Sequence, residues 1–110
     1  MTSGAQCMAV LGLVAAALGS NLAQAGDASQ GKEQATVCAA CHGIDGNSPT
    51  PEFPRIGGQH EDYLLRALLD YKSGERKNPI MAAQVESLSK QDLADLAAWY
   101  ASQSGLFLKR

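Results

Sequence analysis

This chain of 110 residues has little charge of either sign, only two histidines and no strand-like alternation. Nine Lys/Arg against eleven Asp/Glu leave a net charge of −2. There is no basic stripe of the kind that tracks a phosphate backbone, which excludes nucleic acid as a partner. No hairpin signal and no alternating run of useful length occurs, which excludes a β fold. Internal repeats and low-complexity linkers are also missing, so the chain reads as one small domain. The first 25 residues contain no charged side chain at all, and after them a single methionine remains, Met81.

The uncharged start has its own reading. Ala9 to Ala17 is a small-apolar run interrupted by Gly12, too short and too Ala/Gly-rich for a membrane span. Ala23-Gln24-Ala25 follows with the small-x-small pattern cut by signal peptidase. Residues 1–25 are therefore expected to be a cleaved signal peptide and residues 26–110 the working domain, with an uncleaved anchor helix as the alternative. Only the amino terminus of Met1 supplies positive charge ahead of the run. Cys7 lies well before the cleavage pattern and has no assigned role. Removing 25 of 110 residues leaves 85. A domain of that size buries only about 60% of the surface its unfolded chain exposes, so something should supplement its core.

Cys38-Ala39-Ala40-Cys41-His42 supplies the candidate. Two thiols three positions apart, followed at once by an imidazole, match the attachment site of a c-type haem. Each thiol can form a thioether to one vinyl group, and His42 then supplies a nitrogen to the iron. The competing readings fit less well. A redox dithiol at this spacing belongs after a strand, and no β-branched run precedes Cys38. A structural zinc site needs four ligands, and His60 has no second partner. A Cys38–Cys41 disulfide would close a very small loop and gain little.

Elsewhere the pattern is helical. Asp27 is placed to cap a helix running to about Cys38, with Gly31 inside it. Residues 43–56, rich in Gly and Pro, read as a loop. A second helix is expected from about His60 to Lys72, with Glu61 and Asp62 in its first turn and Gly74 as its stop. Residues 74–81 read as another loop. The last helix begins at Ser89, with Asp92 at the capping-box position and Leu88 able to staple to Leu93. Its apolar face is Leu93, Leu96, Ala97 and Tyr100, and Gly105 is expected to end it.

A haem held by His42 has a second axial position. Thioether sulfur suits an electron-transfer haem, and Met81 is the one methionine after residue 25. Its alternative role is a core filler. His60 is the rival ligand, but it lies at the polar start of a helix, between Gln59 and Glu61.

Taken in order, these segments resemble the class I c-type cytochromes of small bacterial kind, particularly one domain of the two-haem periplasmic proteins or their single-haem relatives. The resemblance spans about Gly26 to Gln103. It is carried by Cys38 through Gly43, Pro54-Arg55-Ile56-Gly57-Gly58-Gln59, Tyr63-Leu64, Gly74-Glu75-Arg76, Ile80-Met81, and Leu93 through Tyr100. It implies an all-α class I cytochrome c fold, with three to four helices around one covalent haem c per chain. Cys38 and Cys41 would carry the thioethers, with His42 and Met81 as axial ligands. Pro54 would offer its carbonyl to the other ring nitrogen of His42, and Ile56 would line the pocket. Gly31 would mark the crossing of the first and last helices against Trp99 or Tyr100. Arg76, otherwise a solvated loop charge, would approach a haem propionate.

The expected function is a periplasmic, monomeric one-electron carrier rather than an enzyme, with no membrane insertion after cleavage. Its expected partners are redox proteins, such as membrane respiratory complexes or terminal reductases and oxidases. The alternatives are a haem c subunit of a larger oxidoreductase, and a ligand-binding haem enzyme or sensor in which Met81 leaves the iron.

Overall fold

The computed structural model describes residues 25–106. The apolar run, Cys7 and most of the expected signal segment lie outside the described residues, as do residues 107–110. Five helices follow in order: α1 (Ala28–Gln34), α2 (Thr36–His42), α3 (Glu61–Ser73), α4 (Pro79–Val85) and α5 (Lys90–Ala101). Among the described residues there is no strand, and no helix is long and apolar enough to cross a membrane.

The expected all-α fold is present, but with five helices rather than three or four. The first expected helix is two. Asp27 starts α1 by accepting from the backbone N–H of Ser29 at 2.9 Å and of Gln30 at 3.2 Å. At the fully buried Ala35 the chain tightens, its N–H bonding to the Lys32 carbonyl at 3.2 Å. The β-branched pair Thr36-Val37 follows, residues that give a continuous helix little support. The break lets α2 leave the α1 axis, and the whole Cys38–His42 motif rides on α2.

Met81, expected in the 74–81 loop, is helical instead. It lies on α4. The Asn78 side chain accepts from the backbone N–H of Ile80 at 3.0 Å and of Met81 at 3.1 Å, and Pro79 occupies the first helical turn. Pro79 initiates the helix here because its fixed φ suits that turn and its missing N–H would have had no partner there.

α5 is the central element. Ser89 and Asp92 form the expected capping box, with Ser89 Oγ accepting from Asp92 N–H at 3.0 Å and Asp92 Oδ2 from Ser89 N–H at 2.9 Å. Every residue from Leu93 to Ala98 is buried, as is Tyr100, so the helix is enclosed on more than the single face expected. α1 packs on one side and α3 on another. A Cβ at Gly31 would collide with the Asp95 carbonyl and approach Trp99, which is why glycine stands in the interior of α1. The helix ends at Ala101, not at Gly105. Gly105 instead lies against Asn47 and the Gly57 carbonyl, where the tail is pinned by Leu106 N–H to Gly57 O at 2.8 Å.

Candidate functional site

α2 puts Cys38 and Cys41 three residues apart, on one helical face. Both thiols are half-buried and unbridged. Burial pushes the Cys38 thiol above its ordinary pKa, with the neighbouring Cys41 adding in the same direction. His42 ends the helix and is buried. Its Nδ1 lies 2.8 Å from the Pro54 carbonyl oxygen. A carbonyl can only accept, so Nδ1 carries a proton, and in the neutral ring it is Nε2 that is left with the lone pair. The expected contact of His42 with Pro54 is thus present, and the neutral ring so held would have Nε2 available to a metal.

Pro54 is held in place by a tightly folded loop. Ile56 N–H and Gly57 N–H both donate to the Gly46 carbonyl, at 2.8 and 3.0 Å. Gly46 has φ +81°, and a side chain there would strike the Gly57 backbone and Tyr100. Gly58 N–H then reaches the Tyr100 carbonyl at 2.9 Å, fixing the loop to the end of α5. Two contacts escaped sequence reading. The Ser48 hydroxyl is buried within reach of the Cys41 carbonyl (3.1 Å) and the Thr50 carbonyl (2.8 Å), linking the end of α2 to the loop. Trp99 Nε1–H donates to the Ile44 carbonyl at 2.9 Å. Neither has a periodic or motif signal of its own.

These elements enclose a cavity of about 620 Å³. Cys38, Cys41, His42, Pro54, Ile56, Met81 and Arg76 all line it, whereas the rival ligand His60 does not. Leu64, Leu68, Val85, Leu96 and Tyr100 make its floor and walls apolar. Burial pushes the Tyr100 phenol well above its ordinary pKa, keeping it neutral. Met81 is half-buried on α4, while His60 is exposed ahead of α3. Arg76 is exposed at the mouth, its guanidinium 4.9 Å from the centre of the Tyr71 ring, and the hydrogen bond it donates to the Tyr63 hydroxyl favours its charged form. Val37 and Ile80, 65% and 64% exposed, add an apolar rim.

The donor set suits a flat apolar cofactor with two thioether anchors. Two unbridged thiols lie on one helical face, a buried imidazole has one nitrogen committed to a carbonyl, and a thioether comes from another wall. Among the described residues, no cluster of three or more His, Cys, Asp or Glu could hold a bare metal ion.

That is the site of an all-helical haem-binding domain, and comparison with known proteins gives the family. Residues 28–104 match the family model for cytochrome c, and the chain belongs to that family, whose members carry covalently bound haem c. It is 54% identical over 79 residues to cytochrome c4 of Pseudomonas aeruginosa, covering 72% of this chain and 39% of that protein. It is 40% identical over 82 residues to cytochrome c-554(548) of Halomonas halodenitrificans, covering 72% of this chain and 99% of that one. Among solved structures, reduced recombinant cytochrome c4 from Pseudomonas stutzeri superposes with a TM-score of 0.71 at 47% identity, covering 74% of this chain and 48% of that chain. The chain thus spans less than half the length of the c4 relatives and nearly all of c-554(548).

Proposed function

We propose that the chain is a periplasmic one-electron carrier holding one haem c. In this reading residues 1–25 are removed on export and residues 26–110 form the cytochrome domain. Cys38 and Cys41 would anchor the haem as thioethers, and His42 Nε2 and Met81 Sδ would ligate its iron. The observation that carries the reading is the convergence of Cys38, Cys41, His42 and Met81 on one apolar cavity, with His42 Nδ1 already committed to Pro54.

The haem supplies a reversible one-electron change at iron. The chain's own residues govern the rest. Pro54 holds the imidazole ring and raises its basicity. Leu64, Leu68, Val85 and Leu96 exclude water, which disfavours the more highly charged oxidised state, as does a thioether ligand compared with a second imidazole. Arg76 at the mouth offers its charge to a propionate. Apolar Val37 and Ile80 at the rim suit a small, transient interface with a redox protein.

The test joins attachment to redox behaviour. Haem should migrate with the polypeptide in denaturing electrophoresis and resist acidic organic extraction, and the protein should titrate as a single one-electron transition. Extractable haem, or more than one transition, contradicts the proposal.

A further inference from the structure

Asp95 sits in the middle of α5, 5% exposed. Its Oδ1 accepts from the backbone N–H of Asp27 at 2.8 Å and from Gln91 Nε2 at 2.8 Å. Among the described residues the single ion pair is Arg66–Asp70 on α3, so Asp95 has no cationic partner there. A buried carboxylate with hydrogen bonds and no counter-charge is costly, and proteins rarely keep one.

The segment entering α1 is fitted to that carboxylate. Gln91 Nε2 also donates to the Ala25 carbonyl, at 2.9 Å. A side chain on Gly26 would collide with the Ala94 carbonyl and crowd Ala98, so the backbone here lies directly on α5. The nitrogen of Gly26 is one residue, at most about 3.6 Å, from the Asp27 nitrogen bonded to Asp95. In the uncut chain that atom is a neutral amide. After hydrolysis of the Ala25–Gly26 bond, water completes the Ala25 carboxylate and Gly26 keeps its nitrogen as an α-amine, protonated at neutral pH.

We propose that Asp95 is a binding site for the chain's own new terminus: cleavage after Ala25 creates the Gly26 α-ammonium, which pairs with the buried carboxylate and locks α1 onto α5. This rests on the cleavage proposed above. It gives Asp95 a counter-charge and makes the processed domain more stable than one whose α1 begins with an amide.

The holoprotein tests it through a double-mutant cycle. One change inserts two serines between Ala25 and Gly26, moving the ammonium away, and the other is Asp95→Asn. Intact mass first establishes where each exported product begins. Each change alone should lower the folding equilibrium constant about tenfold near neutral pH, between the value of an exposed pair and that of a buried one. Both together should cost no more than either alone. An exported wild type beginning anywhere but Gly26 overturns the cleavage and the pairing with it. A wild type that does begin at Gly26, but whose unfolding curve the insertion leaves unchanged, or in which the two effects multiply, overturns the pairing alone. Should Asp95→Asn fail to fold, the insertion decides, since it leaves Asp95 in place.

Discussion

The two sides of α5 are built on different principles. Where α1 crosses it, backbone meets backbone at Gly31 and Asp95, and the contact is complete within the protein. On the other side α2, α3, α4 and the 43–58 loop surround a cavity of about 620 Å³. One half is closed by glycine and alanine, the other by whatever fills the cavity. A core this small is marginal without something to fill that cavity, and the two halves should respond differently to substitution.

The largest expected effect follows from removing the anchors. Cys38→Ser with Cys41→Ser should abolish covalent haem, and the cavity half should lose its fixed structure. Hydrogen exchange would then show α3 and α4 unprotected while any protection that survives is confined to α1 and α5. Equal loss across both halves would erase the distinction.

A smaller effect is expected from overfilling the closed half. Gly31→Val should destabilise the holoprotein by about 3 kcal/mol in denaturant unfolding, since the new side chain meets the Asp95 backbone with nothing movable in the way. The haem spectrum should stay intact in the folded fraction. A spectral change of the size produced at the cavity would show that the halves are not separable.

The smallest expected effect lies at the start of α5. Ser89→Ala should cost about 1 kcal/mol, the usual value of a lost N-cap. The same cap holds the Asp92 carboxyl below its ordinary pKa, chiefly through the Ser89 N–H. A carboxylate depressed on folding contributes stability that is fully present above its unfolded pKa, about 3.9, and is lost as pH falls through the lower folded value. The wild type should therefore lose part of its stability below about pH 4, and Asp92→Asn should show a smaller acid loss; equal acid loss in both contradicts the assignment.

The halves also differed in how far they could be read beforehand. Asp27, Ser89 and Asp92 announce their caps by type and spacing, and Gly74 ends α3 in the left-handed conformation expected of it, at φ +87°. The cavity residues were legible because the Cys38–His42 spacing is dictated by chemistry and because Met81 has no competing thioether after residue 25. The helical setting of Met81 was not, since Pro79 marks a loop and a helix start equally well. Nor was the break at Ala35, which reflects packing of α1 and α2 in different directions. Ser48 and Asp95 were invisible because a buried polar side chain has no periodic signature; only its partners reveal it.

Ligation at Met81 is the claim on which the carrier reading depends, and reduction potential measured with the absorbance spectrum tests it most directly. Met81→Ala should keep its haem through Cys38, Cys41 and His42, lower the potential and bind added imidazole or carbon monoxide readily, while His60→Ala should change neither property. An unchanged potential and spectrum in Met81→Ala, with the iron opened instead by His60→Ala, would contradict the account and make the protein a bis-histidine carrier.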